Sequence, residues 1–191
     1  MRRKSVLIPI GILVAAVGLA VALSQAELLV DVGGSGASMA PTMPACVGRG
    51  LAEGFTYRFR DPYRGEIVVF HASGELGSAF VPDPKARGGL EKRVIGIPGD
   101  SVVGRDGQVL VDGVAADNIQ TPPFPEVNLG TDEYFVLGDN RTYSQDSRDF
   151  GPVPRAAIFA RVFLVVWPLG NFGAPPYDQN STPPGPPLCR P

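Results

Sequence analysis

A chain of 191 residues that is 44% hydrophobic and 19% charged can build one domain with a packed core and leaves little room for a second. A formal net charge of −2, with no basic helix or aromatic-interleaved basic patch, excludes the electrostatic footprint of a nucleic-acid binder. Two cysteines, Cys46 and Cys189, and the single His71 lack metal-ligand spacing, so no metal and no other cofactor is expected. A Cys46–Cys189 bridge and two unpaired thiols both remain open.

Residues 6–24, VLIPIGILVAAVGLAVALS, carry no charge and as a helix would extend roughly 28 Å, close to a bilayer's hydrocarbon thickness. Arg2, Arg3 and Lys4 favour the cytoplasmic side. The expected topology is a single-pass cell-membrane protein, with residues 1–5 cytoplasmic and the rest beyond the span extracytoplasmic. Ser24-Gln25-Ala26 would suit a cleavage site, which makes a cleavable leader the alternative. The apolar run exceeds the ~7–15 residues usual for such leaders, which favours a retained anchor.

Residues 25–170 then change to short β-branched runs separated by Gly, Pro and Asp, the pattern of an all-β domain. Predicted strands are 65–71, 91–97, 101–104 with 108–111 around the Asp106-Gly107 turn, and 133–137. Residues 158–167 are apolar but interrupted by Arg161 and closed by Pro168, so they read as a buried strand and not a second span. The Pro/Gly-rich segment 171–191 is expected to be a disordered or extended tail.

Three segments could carry chemistry. Gly33 to Met43 sets Ser38 between flexible glycines and Pro41, which would hold one hydroxyl in an exposed turn. Glu91 to Asp100 puts Lys92 in a strand that ends in a Pro98-Gly99-Asp100 turn. Gly138 to Arg148 is a loop after a strand, dense in hydrogen-bonding groups. Taken singly, these read as a loop, a solvated strand charge and an Asx-rich turn with surface ion pairs.

Taken in order, Ser38-Met39-x-Pro41-Thr42, Arg64-Gly65-Glu66-Ile67-Val68-Val69-Phe70, Lys92-Arg93-Val94-Ile95-Gly96-x-Pro98-Gly99-Asp100 and Gly138-Asp139-Asn140-Arg141-x-x-Ser144-x-Asp146-Ser147-Arg148 closely resemble the successive boxes of bacterial type I signal peptidases. The resemblance extends from the anchor to about Gly173 and includes Trp167-Pro168-Leu169. It implies a mostly β fold, an antiparallel β catalytic domain with one N-terminal transmembrane helix. It also implies a serine endopeptidase that removes signal peptides from secreted preproteins at the membrane.

The catalytic residues implied are Ser38 as nucleophile and Lys92 as general base. Supporting roles fall to Ser144, which would hydrogen-bond the Lys92 amine, and to an Asp146–Arg148 ion pair that shapes the loop. Met39 and Met43 would border a substrate pocket for small residues of the Ala-x-Ala type. A serine hydroxyl needs a base, and lysine is one only when neutral, so burial must lower its pKa from about 10.4. The oxyanion donor implied is the Ser38 backbone N–H. Two departures stand out. Gly36 occupies the position where some members place a serine as second donor, and Glu91 precedes the lysine where a hydrophobic residue is common. Strand alternation should aim Glu91 away from Lys92. His71 matches no catalytic position and reads as structural. The rival readings are a narrower Ser/Lys protease that matures pilins, and a catalytically silent anchored binding protein on the same fold.

Overall fold

Short strands joined by tight turns dominate the folded chain, as its Gly, Pro and Asp punctuation predicts. The structure, a computed structural model, describes residues 11–19, 29–33, 36–45, 47–71 and 89–175. Among these, eleven strands form two sheets. In chain order they are β1 (Leu29–Gly33), β2 (Arg49–Glu53), β3 (Ile67–Phe70), β4 (Leu90–Gly96), β5 (Ser101–Arg105), β6 (Gln108–Val111), β7 (Val114–Ala115), β8 (Phe124–Asn128), β9 (Glu133–Leu137), β10 (Val153–Pro154) and β11 (Ile158–Trp167). The larger sheet runs β1-β2-β11-β3-β4-β9-β10 and the smaller β7-β6-β5-β8, with every pairing antiparallel.

The central strand β3 is apolar throughout because both of its faces are covered. Ile67 and Val69 join Val32, Met39, Met43, Ala52, Ala160, Val162 and Val165 on one side. Val68 and Phe70 join Val94, Tyr134, Val136, Val153 and Ile158 on the other. A third cluster packs Ile95, Phe135 and Leu137 of the larger sheet against Val102, Val109, Val111 and Phe124 of the smaller, with the Phe124 and Phe135 rings stacked at 5.3 Å. Side chains directly opposite in an antiparallel pair share a face. The Val68–Lys92 pair therefore sets Lys92 on the Val68 side, and the Val69–Glu91 pair sets Glu91 on the opposite side.

Turn chemistry fixes the registers. Asp106 and Gly107 both take positive φ, 53° and 80°, in a two-residue loop that pairs Arg105 with Gln108, as a type I′ hairpin requires. Asp112 and Gly113 repeat the device between β6 and β7 with φ of 50° and 79°. Gly99, φ 90°, follows Pro98 in the turn that closes with Asp100 N–H donating to Ile97 O at 3.1 Å, which only glycine fits without strain.

The six predicted strand runs are all strands, and 158–167 coincides with β11. The expected tail begins too early at 171. Asn171 closes a 3-10 turn, Leu169–Asn171, and Gly173 bridges Val165 through two backbone hydrogen bonds of 2.8 and 3.1 Å. Residues 176–191, which make up most of the expected tail, and both thiols of the open Cys46–Cys189 pairing lie outside the described residues. Of the expected anchor 6–24, residues 11–19 are described and helical; no helix among the described residues is long and apolar enough to cross a membrane. His71 stacks on Phe159 at 4.3 Å, a packing role.

Candidate active site

Ser38 lies, half-buried, in the loop that carries the chain from β1 to β2. Ala40 N–H donates to Ala37 O at 3.2 Å and Met43 N–H to Met39 O at 2.8 Å, which folds the segment into consecutive turns. Met39 and Met43 anchor those turns by burying their side chains in the first core cluster, at 5% and 4% exposure. From the other side Asn140 N–H donates to Ser38 O at 2.9 Å. Gly138 makes that approach possible, because a Cβ there would collide with Ser144 Oγ and Ser38 O.

Lys92 enters from the middle of β4, between β3 and β9, and is buried at 4% exposure. Its Nζ donates to Ser38 Oγ at 2.9 Å and to Glu91 O at 3.0 Å. Burial pulls the Lys92 ammonium below its ordinary value, and the carboxylates of Glu91, Asp146 and Asp139 oppose that pull without reversing it. Glu91 thus leaves the strand on the opposite face, as alternation predicts, yet its charge still reaches the amine. An amine biased toward its neutral form within hydrogen-bond distance of a hydroxyl can remove that hydroxyl's proton.

The segment after β9 supports both groups. Asp146, fully buried, accepts from Arg148 Nε at 2.8 Å and from Arg148 NH2 at 2.9 Å, a bidentate pair. It also accepts from Gly138 N–H at 3.0 Å and caps the one-turn helix Ser147–Phe150, with Asp149 returning the bond to Asp146 N–H. The expected ion pair therefore fastens both ends of the loop. Ser144 stands beside Gly138 without a hydrogen bond to the Lys92 amine. Its hydroxyl lies against Gly138 and faces Gln145 O at 3.5 Å, while the second Lys92 contact goes to Glu91 O.

Two buried arginines were not singled out from the sequence. Arg93 is clamped by Asp139 through Nε at 2.7 Å and NH2 at 2.8 Å, and donates to Gly65 O at 2.6 Å. Thr42 Oγ1 donates to the same Asp139 carboxylate at 2.6 Å, which ties the Ser38 turn to β4 and to the segment after β9. Arg141 bridges Gly138 O, Thr121 Oγ1 and Asp117, and so joins that segment to the smaller sheet. The available signal was their place in otherwise apolar or tightly turned sequence, where a long cation persists only with partners. Among the described residues no group of three or more His, Cys, Asp or Glu is positioned to hold a metal ion.

The chain's sequence has counterparts among known proteins. Residues 4–167 match the family described as signal peptidase, peptidase S26. The chain is 41% identical over 141 residues to a probable signal peptidase I-2 of Synechocystis sp., covering 71% of this chain and 62% of that protein, under two thirds of its length. It is 39% identical over 148 residues to a signal peptidase I of Leptolyngbya laminosa, covering 73% of this chain and 70% of that one. A crystal structure of a signal peptidase I from Enterococcus faecalis V583 is 30% identical, with a TM-score of 0.38 over 52% of this chain and 94% of that one. A match over most of the chain, including every segment that meets at Ser38, makes this protein a member of the signal peptidase family, peptidase S26.

Proposed function

We propose that this protein is a membrane-anchored serine endopeptidase that removes signal peptides from exported preproteins by cutting after small residues. The observation that carries the reading is the 2.9 Å hydrogen bond from a buried Lys92 amine to the Ser38 hydroxyl. Neutral Lys92 takes the Ser38 proton as Oγ attacks the scissile carbonyl carbon, and the Ser38 N–H meets the oxyanion. The C–N bond then breaks, the leaving amine takes the proton from Lys92, and the signal peptide is left as an ester on Ser38. Water attacks that ester, Lys92 accepts its proton, and return of the proton to Oγ frees the signal peptide's carboxyl end.

Further residues take supporting roles in this proposal. Asp146 and Arg148 hold the loop that carries Gly138 against the Ser38 turn. Ser144, close to Gly138, hydrogen-bonds Lys92 once substrate tightens the site, a change common between free and bound enzymes. Met39 and Met43 back a shallow apolar pocket that accepts a methyl group and excludes larger side chains by overpacking. Residues 6–24 anchor the domain in the bilayer with the N-terminus cytoplasmic. The exposed Ile12, Leu13, Val14, Val17 and Leu19 of the helical segment 11–19 suit a lipid surround. Anchoring concentrates the protease where signal peptides emerge.

The test is cleavage of an Ala-x-Ala preprotein by wild type, Ser38→Ala and Lys92→Ala in detergent or bilayer. Both variants should be inactive; full activity in either one rejects the Ser/Lys mechanism.

A further inference from the structure

Asn140 holds the two carbonyls that flank the nucleophile's α-carbon. Its backbone N–H donates to Ser38 O at 2.9 Å, and its side-chain amide donates to Ala37 O at 3.2 Å. The residue is 1% exposed, and its own Oδ1 is the buried side-chain polar atom left without a partner among the described residues. A buried acceptor with no partner costs stability, so packing alone does not favour an amide at this position. The amide's one bond acts on the peptide unit that contains the Ser38 N–H.

In a trans peptide the carbonyl and the N–H point in opposite directions across one rigid plane. Ala37 O is held on one edge by Asn140 Nδ2 and by Ala40 N–H at 3.2 Å. The Ser38 N–H is therefore held on the opposite edge, where it makes no hydrogen bond among the described residues and is available to a ligand. With Gly36 supplying no side-chain donor, the fixed direction of this one N–H carries more of the oxyanion's stabilisation.

We infer that Asn140 is a positioning residue: its side-chain amide sets the Ala37–Ser38 peptide plane so that the Ser38 N–H faces the developing oxyanion. This rests on Ser38 being the nucleophile. An interaction that matters only when the oxyanion forms is read in kcat and not in KM.

The experiment is steady-state cleavage of an Ala-x-Ala preprotein by the full-length chain in detergent, for wild type, Asn140→Leu, Asn140→Ala and Ser38→Ala, with pH profiles and urea unfolding. Asn140→Leu keeps the branched shape and removes both the donor and the orphaned acceptor. Its kcat should fall about 10- to 100-fold, short of the ~10²–10³ for deleting an oxyanion donor outright. KM should stay within about twofold, the Lys92 limb of the pH profile should not move, and the urea midpoint should not drop. An unchanged kcat overturns the inference, as does a loss confined to KM or a shifted pH limb. Failure of both Leu and Ala variants to fold overturns it too, because Asn140 would then be structural. Activity in Ser38→Ala sinks the nucleophile assignment instead, whatever the Asn140 variants do.

Discussion

Lys92 and Arg93 are neighbours on β4, 4% and 2% exposed, and the fold treats their charges in opposite ways. Arg93 is held at two nitrogens by the Asp139 carboxylate, so its charge is matched where it lies. The Lys92 amine meets a hydroxyl and a backbone carbonyl, and no salt bridge to it occurs among the described residues. A buried cation without a counter-ion is relieved by losing its proton, and the neutral amine is the form a general base needs.

Substituting Lys92 should separate activity from stability. Burial holds its folded pKa below the unfolded value of about 10.4, so between the two the unfolded chain binds more protons and stability rises with pH. Below the folded pKa the whole penalty of charging the buried amine is present; above the unfolded value it is gone. Lys92→Met should abolish cleavage, raise the urea midpoint at neutral pH and flatten its rise on the alkaline side. A variant less stable than wild type at pH 7 would contradict this account of the amine.

Glu91 tests the same electrostatics from outside. Its carboxylate raises the Lys92 pKa against the effect of burial. Glu91→Gln should therefore move the rising limb of kcat/KM to lower pH and raise neutral-pH activity no more than several-fold. A limb that stays put, measured at low ionic strength, would mean that solvent screens the Glu91 charge before it reaches the amine.

Asp139 should prove structural first. Asp139→Asn leaves the buried Arg93 guanidinium without the Asp139 anion and disturbs the bond that Thr42, in the Ser38 turn, donates to it. A loss of about 3–5 kcal/mol in urea unfolding is expected, with activity lost in step. Replacing both partners, Arg93→Met with Asp139→Leu, should recover much of that stability, since the cost comes from an uncompensated charge and not from the missing bridge.

How much of this was legible in the chain depends on the range of each signal. Strands β3, β4, β9 and β11 were readable because their apolar runs are bounded by local punctuation. β7 was not, although Asp112-Gly113 carries the same turn signal as Asp106-Gly107, because a two-residue strand leaves no periodicity. β1 and β2 pair with each other across the Ser38 loop, and β2 also pairs with β11, so their regularity comes from these partners more than from composition. In the site, Ser38 and Lys92, whose side chains lie 2.9 Å apart, stand out in the sequence only through ordered motifs, each bland when read singly. Arg141 and Asn140 were passed over because their partners, Thr121 and Ala37, lie 20 and 103 residues away in sequence. Contacts of that range are set by topology, which no local pattern states. The hydroxyl direction of Ser144 depends likewise on the close approach at Gly138.

Two glycines near Ser38 should respond in opposite ways to added bulk. At Gly138 a Cβ would meet Ser144 Oγ and, at 2.5 Å, Ser38 O, and backbone there cannot give way without moving the Ser38 turn. Gly138→Ala should cost about 1–3 kcal/mol in unfolding and should reduce kcat by more than that loss of stability explains. At Gly36 a Cβ meets no heavy atom of the described residues within 4 Å, so Gly36→Ser should fold as wild type does. If the new hydroxyl faces the oxyanion, kcat should rise with KM unchanged, because a second donor acts only on the charge that forms during attack. The comparison to make is kcat for Gly36→Ser against Gly36→Ala: equal rates in the two would show that the added oxygen does not reach the reacting centre.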